Sequence, residues 1–255
     1  MNKLKTIKRL RHKLANGSPT VGSWMQIPSS EVAELMGGAN FDWVAIDMEH
    51  GSINVNQLPN LFRALELGET LPLVRLPEGS ERYCARILDA GAGGLIVPMV
   101  TEAKQLEKII TASSLPPSGK RGVGFSRANL YGVEFKNYIQ EAQNPLIVAM
   151  IESSEAINNL EDILKVKGLD ALMIGPYDLS ASLGVTANFK NSKFTSTLSK
   201  IKDSCSKAGV PLGVHVVEPK RKDLNMKIKQ GYQFLAYGID TVFLTNSIMN
   251  LEIKR

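Results

Sequence analysis

A chain of 255 residues is long enough to bury a full core and has the usual size of one (β/α)8 barrel, so it does not demand two domains. With 44% hydrophobic and 22% charged residues it has the make-up of a soluble globular protein, and no stretch approaches the roughly 18 apolar residues of a membrane span. The net charge of +5 comes largely from Lys3, Lys5, Lys8, Arg9, Arg11 and Lys13, which argues against a basic face for nucleic acid or membrane.

In that basic segment, about residues 1–16, Leu4, Ile7, Leu10 and Leu14 recur at helical spacing, which predicts an amphipathic helix packed on the body rather than a secretory signal. Val21 to Ile27 reads as the first strand, and Ser29-Ser30 caps a short helix that ends at Gly37-Gly38. Next comes Phe41-Asp-Trp-Val-Ala-Ile-Asp-Met-Glu-His50-Gly51, an apolar run typical of a strand buried on both faces, ending in Asp47, Glu49 and His50. Helix Asn56 to Leu67, strand Leu71 to Leu76, helix Glu81 to Ala90, strand Gly94 to Val100 and helix Glu102 to Ile110 follow with short joints.

The alternation breaks at about residues 116–132, a Gly-rich insertion that reads as a functional loop. Its Gly122 and Gly124 follow no strand and lack a third glycine, so they carry little weight as a dinucleotide fingerprint. Helix Val133 to Gln143, strand Pro145 to Glu152, helix Glu155 to Val166 and strand Leu169 to Ile174 resume the pattern, the last running into a turn with Asp178 just beyond it. Helix Lys193 to Ala208, strand Pro211 to Val217, strand Phe234 to Tyr237 and a terminal segment from Val242 complete the chain. This alternation predicts a single α/β domain over residues 1–255, a (β/α)8 TIM barrel with right-handed crossovers. Cys84 and Cys205 fall far apart in predicted helices without metal-like pairing, as expected of a reducing cytoplasm.

In such barrels the carboxyl ends of the strands carry the chemistry. They hold Asp47, Glu49, His50, Arg75, Glu152, Asp178 and His215. One strand-end acid is as readily an ordinary solvated cap, but several at one mouth favour a catalytic site. Glu152 and Asp178 offer oxygen ligands to Mg2+ or Mn2+, or alternatively they ion-pair with Arg75. The Arg75 fork suits a carboxylate or enolate oxygen, and a neutral His50 can accept a proton, its tautomer held by Asp47 or Asp89. These parts fit enolisation of a 2-oxo acid followed by aldol addition or its reverse. No lysine ends a strand where a Schiff base would need it.

Trp24 in Gly22-Ser-Trp, Asp42-Trp-Val-Ala-Ile-Asp-Met-Glu-His-Gly51, Val74-Arg75, Val97-Pro-Met99, Gly119-Lys-Arg-Gly-Val-Gly124 with Arg127-Ala128, Met150-Ile-Glu152 and Gly175-Pro-Tyr-Asp-Leu-Ser180 together resemble the HpcH/HpaI aldolase/citrate lyase family. The resemblance runs from about Gly17 to Leu244 and implies a barrel of the phosphoenolpyruvate/pyruvate type. It implies a class II pyruvate aldolase, like those acting on 2,4-dihydroxyhept-2-ene-1,7-dioate or 2-keto-3-deoxy sugar acids, that cleaves or forms a 4-hydroxy-2-oxo acid through a metal-bound pyruvate enolate. Glu152 and Asp178 would bind Mg2+, Mn2+ or Co2+, Arg75 would stabilise the enolate, and His50 would be the base, supported by Asp47 and Asp89. Trp24 would wall the pocket, and the backbone of Gly175, Pro176, Tyr177 and Asp178 would hold the substrate carboxylate. The resemblance also implies a homo-oligomer, a hexamer built as a trimer of dimers with helix exchange, in which the Gly119 to Gly132 loop completes an adjacent site.

Two residues depart from the family pattern. Met150 stands where several relatives carry Gln, removing a polar contact near the metal. His215 stands where relatives often have an apolar residue, so it is expected either to contact a polar, hydroxylated acceptor or to be satisfied by backbone; His215→Leu tests the first. An acyl-CoA lyase of the citrate lyase type and a non-catalytic binding barrel are the alternatives, although no basic groove suits CoA.

Overall fold

A computed structural model describes residues 1–251. Eight strands, β1 (Thr20–Met25), β2 (Trp43–Asp47), β3 (Leu71–Arg75), β4 (Gly94–Val97), β5 (Leu146–Ile151), β6 (Ala171–Ile174), β7 (Leu212–Val216) and β8 (Phe234–Ile239), pair in sequence order and all in parallel. β8 pairs with β1, so the sheet closes into a barrel. Helices between the strands cover its outside, which is why residues such as Val44, Ala45 and Ile46 of β2 are all fully buried. No helix among the described residues is long and apolar enough to cross a membrane.

The barrel interior is packed with side chains. Trp43 and Phe234 stack at 4.2 Å and 4°, with Leu71, Ile96, Leu146 and Met173 around them. Ile7, Leu10 and Leu14 of the leading helix (Lys3–Ala15) join this cluster and close the barrel's amino-terminal end. That burial explains the apolar stripe in a basic segment. The charges are used locally as well: Lys3 pairs with Glu141, Arg11 with Asp170 and Lys13 with Asp42.

Gly22 is dictated by this core. A Cβ there would lie 2.1 Å from Trp43 Cδ2, and the indole cannot retreat because it stacks on Phe234 while its Nε1 faces Thr20 Oγ1 at 3.4 Å. Gly22→Ala is therefore expected to cost about 1–3 kcal/mol, read as a lower denaturant midpoint at unchanged slope.

The structure differs from the sequence reading in four elements. The helix expected over 155–166 is two short ones, Ser154–Asn158 and Leu160–Ile163, broken at Asn159, whose side chain donates to the Thr101 carbonyl. The turn at Pro176 is the start of helix Pro176–Ser182, because proline suits the first helical position as well as a turn. Helix Arg221–Lys229 was not expected; it buries no residue, so its sequence carries no strong apolar stripe. The terminal segment forms helix Asp240–Met249.

The 116–132 insertion follows helix Ala103–Ser113, which carries the chain back to the amino-terminal end of the barrel. There the loop lies beside the leading helix, sharing with it a cavity lined by Met1, Lys3, Arg127 and Leu130. Arg121 pairs with Asp89, Arg127 with Glu66, and buried Asn129 accepts from Ser126 and Gly132 N–H while donating to the Gly124 carbonyl. The loop is thus fastened at the end of the barrel opposite its own mouth.

Candidate active site

At the carboxyl-terminal mouth lies a cavity of about 250 Å3 lined by Trp24, Gln26, Asp47, His50, Arg75, Met150, Glu152, Gly175, Pro176, Tyr177, Asp178 and His215, with Met173, Ile174, Val217 and Ile239 as further walls. Every site residue expected from the sequence lines it except Glu49, which lies against Arg75, and Asp89. That residue ends helix Cys84–Asp89, which returns the chain to the start of β4, and its carboxylate accepts from Arg121 Nη2 at 2.6 Å. Within one chain the barrel separates Asp89 from His50.

The last residues of β2 and β3, Asp47 and Arg75, are register partners, which sets their side chains together. Asp47 accepts from Arg75 Nε at 2.9 Å and Nη2 at 2.6 Å, a bidentate pair buried at the mouth. The same carboxylate takes the Gln26 amide and the backbone N–H groups of Glu49 and His50. Burial opposes its ionisation, but these hydrogen bonds and the Arg75 charge outweigh burial and hold its pKa below the usual carboxylate value. Asp47 therefore fixes the Arg75 fork and the backbone before His50; it does not hold the His50 ring, as the sequence reading had it. Glu49 Oε2 lies 3.9 Å from Nε2 of that exposed ring.

Glu49 Oε2 sits 3.0 Å from Arg75 Nη1, in a geometry that makes no aligned hydrogen bond. Its pKa is raised, by burial first and then by Asp47 and Asp178 against the opposing charge of Arg75. Arg75 thus pairs with Asp47 and Glu49, not with Glu152 or Asp178.

Glu152, just past β5, is buried and, among the described residues, accepts only the Met99 N–H, at 2.8 Å. Met99 takes a positive φ of 50° to offer that N–H. Burial and the charges of Glu49 and Asp178 push the Glu152 pKa up to about 7. Asp178 lies in the first turn of helix Pro176–Ser182, directly after β6. Gly175 before it makes room: a Cβ there would lie 2.3 Å from Glu152 Oε1. Crowded, under-compensated oxygen ligands of this kind fit a hard divalent cation. Among the described residues no group of three or more His, Cys, Asp or Glu forms a ready metal cage. Such a cation would be held by Glu152 and Asp178, with substrate and water as its other ligands.

The sequence reading missed Gln26 and Asp240. Gln26 shares a face of the chain with Trp24, two residues away, and donates to Asp47 Oδ2 at 2.9 Å. Asp240 accepts the N–H groups of Gln26, Ile27 and Thr241, tying the end of β1 to the end of β8. The period-two alternation of β1 could have flagged Gln26; nothing local marks Asp240.

His215 donates from Nε2 to the Gly238 carbonyl at 3.2 Å. Burial lowers its pKa to about 4, with the Arg75 charge adding to this and the Gly238 bond opposing it. The unfolded chain takes a proton near pH 6.5 that the folded chain refuses, so this contribution is complete above 6.5 and is lost as pH falls towards 4. Wild type should lose up to about 1.4 kcal/mol per pH unit relative to His215→Phe below pH 6.5. Urea unfolding of both at pH 7 and pH 5 checks this.

Fold and site define a (β/α)8-barrel protein with a carboxylate-rich, cation-suited cavity at its catalytic end. The chain belongs to the HpcH/HpaI aldolase/citrate lyase family, whose model matches residues 20–247. It is 33% identical to a hydroxypyruvate/pyruvate aldolase from Roseobacter denitrificans, with 97% of each chain covered. It is 35% identical to a 2-keto-3-deoxy-L-rhamnonate aldolase from Salmonella gallinarum, covering 92% of this chain and 88% of that one. Among solved structures, an HpcH/HpaI family protein from Burkholderia cenocepacia superposes with a TM-score of 0.87 at 26% identity, over 95% of this chain and 97% of the other. A citrate lyase beta subunit from Mycobacterium tuberculosis shares the fold at a TM-score of 0.58 and 16% identity, over 90% of this chain and 95% of that chain.

Proposed function

We propose that this protein is a divalent-cation-dependent class II aldolase that cleaves, or forms, a 4-hydroxy-2-oxo acid to give pyruvate and an aldehyde. The observation that carries the reading is the joint presence, in one cavity, of the Glu152 and Asp178 carboxylates, an Arg75 fork anchored by Asp47, and the His50 imidazole at the rim. Family membership and aldolase relatives over nearly the whole chain support it.

Mg2+, Mn2+ or Co2+ at Glu152 and Asp178 would polarise the 2-oxo acid and lower the barrier to charge developing at its carbonyl oxygen. In the cleavage direction His50 takes the proton of the 4-hydroxyl, the C3–C4 bond breaks, and the aldehyde leaves. The bonding electrons move to C3 and the C2 oxygen, where the guanidinium of Arg75 stabilises the enolate. His50 then returns the proton to C3, giving pyruvate. Asp47 holds Arg75 in place through these steps, and the backbone of Gly175 to Asp178 receives the substrate carboxylate.

We read the protein as cytoplasmic, in keeping with its free buried Cys84 and Cys205, and as a homo-oligomer, which would cover Phe125, Tyr131 and Val133, now 74%, 66% and 83% exposed. Pyruvate release from a 2-keto-3-deoxy sugar acid, followed through a lactate dehydrogenase couple, tests the activity. Release with added Mn2+ that a chelator stops is the expected result. Turnover of an acyl-CoA thioester without such release would overturn the reading in favour of the lyase alternative.

A further inference from the structure

The Met99 N–H reaches the Glu152 carboxylate only because Met99 is left-handed, at φ +50°. A residue with a Cβ rarely adopts that conformation, so something outside Met99 has to hold it there. Its own side chain, 47% exposed, does not.

The peptide groups around Met99 lead to the holder. Gln105, the third residue of helix Ala103–Ser113, turns its side chain back over the loop that follows β4. Its Nε2 donates to the Met99 carbonyl at 3.2 Å and to the Gly79 carbonyl at 2.7 Å, and its Oε1 accepts the Thr101 N–H at 2.9 Å. Two carbonyls at one end of the amide and an N–H at the other fix which end is nitrogen. Val100 N–H donates to the Met150 carbonyl at 3.3 Å, which ties the same loop to β5.

Gly79, in the loop after β3, has no room for a side chain. A Cβ there would lie 2.6 Å from Gln105 Nε2 and 2.6 Å from the Pro98 carbonyl oxygen. The two loops close on the amide because position 79 is glycine. Gln105 itself is not among the residues lining the cavity.

We infer that Gln105 is a positioning residue for the cation site: bridging Gly79 and Met99, it keeps the Met99 peptide turned so that its N–H holds the Glu152 carboxylate, an inference that rests on Glu152 being a cation ligand. A plain helix cap is the competing role, since a glutamine at the third helical position ordinarily accepts an N–H from the residues just before the helix. A cap needs only the oxygen. The nitrogen serves the two loops, and a variant can separate the two ends.

Gln105→Glu keeps an acceptor for the Thr101 N–H and puts negative charge where a helix amino terminus favours it, but sets a carboxylate oxygen against the Gly79 and Met99 carbonyls. Mn2+ binding, read from the electron paramagnetic resonance signal of the free ion, should weaken about 10–100-fold in this variant, the range found when a residue that orients a metal ligand is lost. Gly79→Ala displaces the same amide from a different element and should weaken binding too. Saturating Mn2+ should restore most of the turnover of both variants, because neither residue touches substrate. Gly22→Ala is the control for stability alone, acting in the barrel interior, and should leave Mn2+ affinity unchanged.

Gln105→Glu that binds Mn2+ as tightly as wild type overturns the inference, leaves Gln105 a helix cap and keeps the aldolase reading intact. An equal loss of affinity in Gly22→Ala overturns it as well, since affinity would then follow stability. Wild type that binds no Mn2+, or binds it as tightly after Glu152→Gln, removes Glu152 from the cation site and the inference with it.

Discussion

Glu152→Gln is expected to lower cation-dependent turnover by about 10^3-fold or more while raising the stability of the cation-free protein. The activity term follows from removing one of two protein carboxylates at the proposed cation site, an effect of several kcal/mol on developing charge. The stability term has the opposite sign for a reason visible in the fold. Glu152 is buried, makes one hydrogen bond, and faces Glu49 and Asp178, so its charged form is disfavoured and its pKa lies at about 7. The folded chain therefore holds a proton that the unfolded chain releases near the ordinary glutamate value of 4.5, and stability falls as pH rises through that window. A glutamine keeps an acceptor for Met99 N–H and removes the charge. Chemical denaturation at pH 8 with a chelator should show the variant as the more stable protein, and added Mn2+ should stabilise only wild type. A variant that loses activity and stability together would mark Glu152 as structural.

Asp47→Ala is expected to fail on both counts. The Arg75 guanidinium is buried and donates its two aligned bonds to Asp47; without that acceptor it keeps only Glu49, which is poorly oriented. Breaking a buried pair from one side costs about 3–5 kcal/mol. Turnover should drop about 10^2–10^3-fold as the fork leaves the position where it meets developing negative charge. Gln26 and the turn to His50 lose their anchor too, since the same carboxylate binds them. Asp47→Asn should retain more stability than Asp47→Ala, because an amide oxygen can still receive Arg75 Nε. A loss below about 1 kcal/mol for Asp47→Ala, with turnover intact, would show that Arg75 does not depend on this pair.

The barrel was legible because its strands are short apolar runs with no polar face, which only a sheet covered on both sides accommodates. Helices with an apolar stripe, such as the leading helix and Leu58–Leu67, were legible for the same reason. Arg221–Lys229 was hidden because it packs through partly buried side chains and buries none fully. Most of the mouth could be read from the ends of the strands: Asp47, Arg75, Glu152 and His215 all sit at the last residues of a strand or next to them. What each side chain binds was not legible. Asp47 is a general anchor rather than a partner of the imidazole, a fact set by the β2–β3 register, and Gln26 and Asp240 act through contacts made only on barrel closure. Asp89 shows the limit of resemblance, since matching its position says nothing of which end of the barrel it occupies.

The central claim is that these residues enolise a 2-oxo acid with the help of a divalent cation, and it is tested without choosing an aldehyde. Proton NMR in deuterium oxide follows loss of the pyruvate methyl signal with Mg2+, Mn2+ or Co2+ and with a chelator. Exchange that requires cation, and that is lost in Glu152→Gln and Arg75→Ala, is the predicted result. Folded protein that leaves the methyl group unexchanged with all of these cations would contradict it.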